Sequence, residues 1–195
     1  MLKKLLLMAL ISSGAYAAHQ IGVNVNGSDV EGQIRLDMGR MGNAMSNTYI
    51  GARVLNGDNN NSKSINDPDP LMEVSFMVMR PVHGVPGLKL GLGIKGEYTD
   101  IDGNTYAAIP LGVEAELQLP INTPFPVYVG GALYYAPSAL SFQDGDGYLE
   151  TRVHLDAEPI DNGRLEVGYR KIDTDLTSRN VTYNDSWYFG MRLDF

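Results

Sequence analysis

Apolar and polar residues alternate along most of this chain with a period of two. Val30, Gly32, Ile34, Leu36 and Met38 share one face, and Glu31, Gln33, Arg35 and Asp37 share the other. Leu88, Leu90, Leu92, Ile94 and Tyr98 alternate with Lys89, Gly91, Gly93, Lys95 and Glu97. The same pattern recurs across residues 109–118, 148–156, 164–170 and 187–195. A helix brings every third or fourth residue to one face, so a period of two sustained this often predicts strands. Stretches 19–26, 47–55, 71–80 and 127–135 alternate less regularly and complete the set. The reading is all-β, with about ten strands and eight as the alternative. Each strand is near the roughly 9–11 residues that cross a bilayer on a tilt.

The connections alternate too. Segments 173–185, 136–147 and 56–70 are long and polar, whereas 158–163, 119–126 and 81–87 are shorter and carry Pro, Gly or both. Long loops on one side and short turns on the other are the habit of outer-membrane barrels. The short connections 99–103 and 27–29 fall on the long-loop side, so the rule holds imperfectly. Tyrosines and the single Trp187 lie mostly toward strand ends. Together Tyr49, Tyr98, Tyr106, Tyr128, Tyr134, Tyr135, Tyr148, Tyr169, Trp187 and Tyr188 suggest aromatic girdles at two membrane interfaces. A closed antiparallel transmembrane β-barrel follows, because lipid cannot satisfy the backbone of an open sheet edge.

The N-terminus supplies an export route. Lys3 and Lys4 precede a seven-residue apolar run, Leu5 to Ile11, and Ala15-Tyr16-Ala17 forms an A-x-A cleavage site. The run falls short of the roughly 20 residues of a spanning helix. Residues 1–17 therefore read as a cleaved signal peptide and 18–195 as a single barrel domain. The chain has no cysteine, which removes disulfides, thiolate metal sites and lipoprotein acylation. A net charge of −8 argues against nucleic acid as a partner.

The final strand ends Tyr188-Phe-Gly190-Met-Arg-Leu193-Asp-Phe195. It resembles the terminal assembly signal of outer-membrane barrels, which implies contact with the barrel-assembly machinery through Tyr188, Gly190, Leu193 and Phe195. Three further stretches, 80–97, 134–140 and 160–170, resemble the YfaZ-type outer-membrane proteins. That resemblance implies a barrel in the bacterial cell outer membrane, with lipid and lipopolysaccharide as neighbours. It carries over no catalytic, cofactor or metal residue.

Candidate chemistry is sparse. Gly91-Leu-Gly93-Ile-Lys-Gly96 matches the dinucleotide fingerprint, but no helix opens after it, so these read as lumen-facing glycines. Three histidines, His19, His83 and His154, all fall at the periplasmic end, and His154 reads as a structural lumen group beside Arg152 and Asp156. No enzyme is expected, since acid–base catalysis usually recruits histidine at a working site. The expected inward charges are basic at Arg35, Lys89, Lys95, Arg152, Arg164, Arg170 and Arg192. They are acidic at Asp37, Glu73, Glu97, Glu114, Glu116, Glu150, Asp156, Glu166 and Asp194. Mixed signs in a small lumen predict pairing and a filled or very narrow interior, because unpaired buried ions cost several kcal/mol. The outer loops carry Asp58, Asp67, Asp69, Asp100, Asp102, Asp144, Asp146, Asp175 and Asp185 against Lys63 and Arg179. They read as solvated polar loops, with divalent-cation bridges to lipopolysaccharide as the sharper idea. Asp144-Gly-Asp146-Gly147 is too short for a calcium loop.

A structural or interaction barrel is the first reading. A narrow small-solute channel would instead show conductance, and an exported soluble periplasmic β-barrel binding protein would lack an apolar outer face.

Overall fold

The computed structural model describes residues 20–41, 47–57, 65 and 68–195. The expected signal peptide lies outside them, as do His19, Asp58, Lys63 and Asp67.

Among the described residues, twelve strands form one antiparallel sheet. In chain order they are β1 (Gln20–Val25), β2 (Val30–Asp37), β3 (Thr48–Asn56), β4 (Leu71–Pro81), β5 (Leu88–Ile101) and β6 (Asn104–Ala108). There follow β7 (Leu111–Gln118), β8 (Val127–Ala136), β9 (Ser141–Gln143), β10 (Gly145–Ile160), β11 (Gly163–Leu176) and β12 (Thr182–Asp194). A single helical turn, α1 (Met38–Met41), follows β2. Ten strands close a ring: β1 pairs with β12, with Gln20 opposite Asp194 and Val25 opposite Phe189, and β4 pairs with β5. The ten-strand reading holds, and the eight-strand alternative falls.

The other two strands extend one wall. β6 leads down into β7 across a break at Ile109-Pro110, where proline has no N–H for the ladder. β9 pairs with β6 above the ring. Strands are also longer than alternation alone predicts. β11 runs to Leu176 and β12 starts at Thr182, so most of the expected loop 173–185 is strand. Polar side chains on the outer face there, at Lys171, Asp173 and Asp175, break the apolar alternation that marks a strand.

Both faces match the pattern. Outward positions include Val74, Leu92, Val153, Trp187 and Phe189, all exposed. On β5 the outward run from Leu88 to Tyr98 makes an apolar band about 25 Å tall, taking ~3.3 Å per residue and ~40° of tilt. Tyr98, Tyr135, Tyr169 and Trp187 mark the band's loop-side edge, and Tyr169 packs on Trp187 with ring centroids 5.4 Å apart.

The girdle reading fails for four of the other tyrosines. Tyr106, Tyr134, Tyr148 and Tyr188 are buried inside the ring. Their hydroxyls find carboxylates or a carbonyl, and the rings of Tyr134 and Tyr188 also meet Lys95 and Arg152.

Inward glycines make room for these rings. A Cβ on Gly112 would fall 2.4 Å from the Tyr134 ring and from the Leu133 carbonyl, and one on Gly168 would fall 2.4 Å from Tyr188. Gly91 and Gly93 also face inward and Gly96 faces out, which accounts for the fingerprint-like run. Replacing Gly112 by Val is expected to destabilise the barrel by about 1–3 kcal/mol through overpacking. The expected readout is a lower melting midpoint, with Gly27→Ala as a control where an added Cβ meets nothing within 4 Å.

Candidate functional site

The lumen has three levels. At the end bearing the loops, Leu55, Leu71, Ile101, Tyr106, Ala136, Ile172, Leu176 and Tyr183 pack together and fill the cross-section. A β-bulge places Tyr183 there: Asn184 stands opposite Ile172 but Thr182 stands opposite Asp173, so the residue between them turns inward. Its hydroxyl accepts from Leu71 N at 2.8 Å and donates to the Asp69 carbonyl at 2.7 Å, tying β12 to the far wall.

Below this apolar cap lies a buried ionic layer. Glu31 is fully buried and accepts hydrogen bonds from Asn24, Arg53, Arg152 and Arg170 at 2.6–3.3 Å. Arg53 makes a bidentate pair with Glu150 at 2.6 and 3.1 Å, from a strand diametrically opposite in the ring. It also contacts Glu73 and approaches Glu97 to 3.6 Å. Lys95 bridges Glu150 at 2.5 Å and Glu73 at 3.0 Å. Tyr148 donates to Glu97 and Glu150. Pairs that reach across the ring leave no open path at this level.

The third level is open. A cavity of about 330 Å³ faces the end bearing the termini, and seven acidic and seven Arg or Lys side chains line it, so its wall is close to neutral. Arg164 crosses it to Glu116 at 2.9 Å, and Arg192 holds Asp156 at 2.6 Å. His154 stands on its wall with Nδ1 2.8 Å from Asp156.

The inward set read from alternation is largely correct. Lys95, Arg170, Glu73, Glu97, Glu150, Asp156 and Glu166 are buried, and Arg152, Arg164 and Arg192 are nearly so. The regular alternation does not single out the hub, which is Arg53 on the irregular β3 together with Glu31 on the polar face of β2. Alternation continued through Ile50, Ala52 and Val54 would have found Arg53. His83 is exposed in the turn between β4 and β5. His154, Asp156 and Glu166 come within 4.8 Å of one another, but Arg192 occupies the space beside them and disfavours a metal.

Most described loop carboxylates already have donors. Asp100 accepts from Gly103 N, Asp144 from Thr105 N, Asp185 from the Tyr169 hydroxyl, and Asp102 pairs with Arg179. Asp175 differs. Above the apolar band, partial desolvation and the charges of Asp173 and Asp146 raise its carboxyl above the ordinary range.

The fold and lumen define a small closed β-barrel with an apolar exterior and a salt-bridged interior. The chain belongs to the family described as YfaZ precursor, whose model matches residues 1–195. No curated protein and no solved structure matches it.

Truncating Arg53 to Met is expected to cost about 3–5 kcal/mol, because it strands several carboxylates in the ionic layer. Chemical unfolding of the refolded barrel would show it as a lower midpoint than wild type, with Arg179→Met near neutral.

Proposed function

We propose that this chain is a small integral outer-membrane β-barrel of structural or interaction type, without catalytic activity and closed to through-flow. The observation that carries the reading is the continuous apolar band around a ring with no free edge, enclosing paired charges. Water would penalise some two dozen exposed large apolar side chains, whereas lipid accepts them. A leader at residues 1–17 and the family's description as a precursor support export.

The terminal strand supports contact with the assembly machinery. Leu193 lies on the outward face of β12, and the exposed Phe195 follows its last residue. Tyr188 points inward to Glu166 at 2.6 Å, and Gly190 leaves room for Asn24, whose amide bonds Glu31. Strand and signal therefore coincide at the seam between β1 and β12. The channel reading is disfavoured by the apolar cap and the ionic layer in series, and the soluble periplasmic reading by the outer face.

Heat-modifiability tests this directly. The detergent-extracted protein should come from the outer-membrane fraction and migrate faster unboiled than boiled. Recovery in the soluble periplasm with no mobility shift would remove the membrane reading. Planar-bilayer recordings should show no conductance steps.

Lipopolysaccharide is the expected outer-leaflet neighbour, with divalent cations relieving the repulsion among Asp146, Asp173 and Asp175. Chelator treatment should then release lipopolysaccharide or lower barrel melting. No change in either would leave these loops merely solvated.

A further inference from the structure

One carboxylate in the buried ionic layer has no cation of its own. Strand pairing sets Arg53, Glu73 and Glu97 in one row across β3, β4 and β5, with Glu73 directly opposite each of the other two. Like charges directly opposite one another destabilise a sheet. Beyond Glu97 the row continues into Ala108, which offers no charge. Glu150 joins the pair from β10, and oxygens of Glu73, Glu97 and Glu150 come within 4.8 Å of one another.

The cations at this level are already engaged. Arg53 Nη1 donates to Glu31 and Glu150, and its Nη2 donates to Glu150 and contacts Glu73. Lys95 sits between Glu150 and Glu73 at 2.5 and 3.0 Å. Arg152 and Arg170 are taken up by Glu31 and Asp29. Glu97 keeps a 3.6 Å approach to Arg53 and a hydrogen bond from the Tyr148 hydroxyl at 3.1 Å, both on Oε1. Its other oxygen, Oε2, is buried without a hydrogen-bond partner. The nearby Tyr106 hydroxyl does not serve it, because that hydroxyl donates to the Gly147 carbonyl. Ionised carboxylates only accept, so neither Glu73 nor Glu150 can satisfy that oxygen. A metal ion would have to displace Arg53 or Lys95, whereas a proton needs no room and turns Oε2 into a donor.

We propose that the ionic layer binds one proton, held on Glu97 Oε2 and donated to Glu73. The hydrogen bond from Tyr148 then falls on the carbonyl oxygen of the acid. Asp29, Glu31, Glu73 and Glu150 are left to balance Arg53, Lys95, Arg152 and Arg170. The inference concerns the folded lumen alone, so it stands or falls apart from the membrane reading.

Infrared spectroscopy of the refolded full barrel at neutral pH, in a detergent without ester groups, tests it. Wild type should show the carbonyl stretch of a protonated carboxylic acid, shifted on exchange into heavy water. Glu97→Gln should lose that band while its unboiled gel mobility stays that of wild type, since an amide also donates to Glu73. Glu116→Gln, at a carboxylate paired with Arg164, should keep the band. Should Glu97→Gln fail to fold, Glu73→Gln takes its place. Removing that charge leaves Glu97 and Glu150 to Arg53 and Lys95, and the band should again vanish. No acid band in wild type, or one that survives in a folded Glu97→Gln or Glu73→Gln barrel, would overturn the proposal.

Discussion

Closure of the ring constrains everything else in this molecule. The pairing of Gln20–Val25 with 189–194 leaves the ten-strand sheet without a free edge, so backbone polarity is satisfied within the ring itself. A closed sheet has only two faces, and every side chain must choose one. The outer face is apolar, so the charged residues are sent inward together and have to solve their electrostatics there.

They solve it by reaching across. Glu31 and Arg53 each touch partners from several strands, and Glu150 is met by cations from β3, β5 and its own strand. A buried ion pair is weak evidence for net stability, because desolvation offsets much of the attraction. Its clearer consequence is register. A one-residue slip of any strand would turn its charge to the outer face and strand the partner inside. Tyr134 and Tyr188 add to this, each donating a hydroxyl to a carboxylate, Glu114 or Glu166, and turning a ring face to a cation, Lys95 or Arg152.

The levels of the lumen differ in what they permit. The cap built on Tyr183 is apolar, the layer below is neutralised in place, and the level near the termini keeps the more exposed charges. The asymmetry follows from the strands. β5, β10, β11 and β12 run on past the apolar band at the loop end, where their inward residues become Ile101, Tyr148, Ile172 and Tyr183.

Sequence alone determined the fold class, a strand number of about ten, the facing of most residues in the regularly alternating strands and the mixed sign of the lumen. It did so because a period of two is a local property of the chain and each face has one environment. Tertiary structure decided who meets whom. Arg53 and Glu150 lie on opposite walls, and no local spacing brings them together; the circumference of the ring does. It also decided that several tyrosines read as interfacial belong inside, since a strand end can face lipid or lumen and only the parity of the neighbouring bulges and breaks settles which. The height at which the lumen changes from apolar to charged was likewise hidden, because height depends on stagger between strands, which pairing fixes and alternation does not.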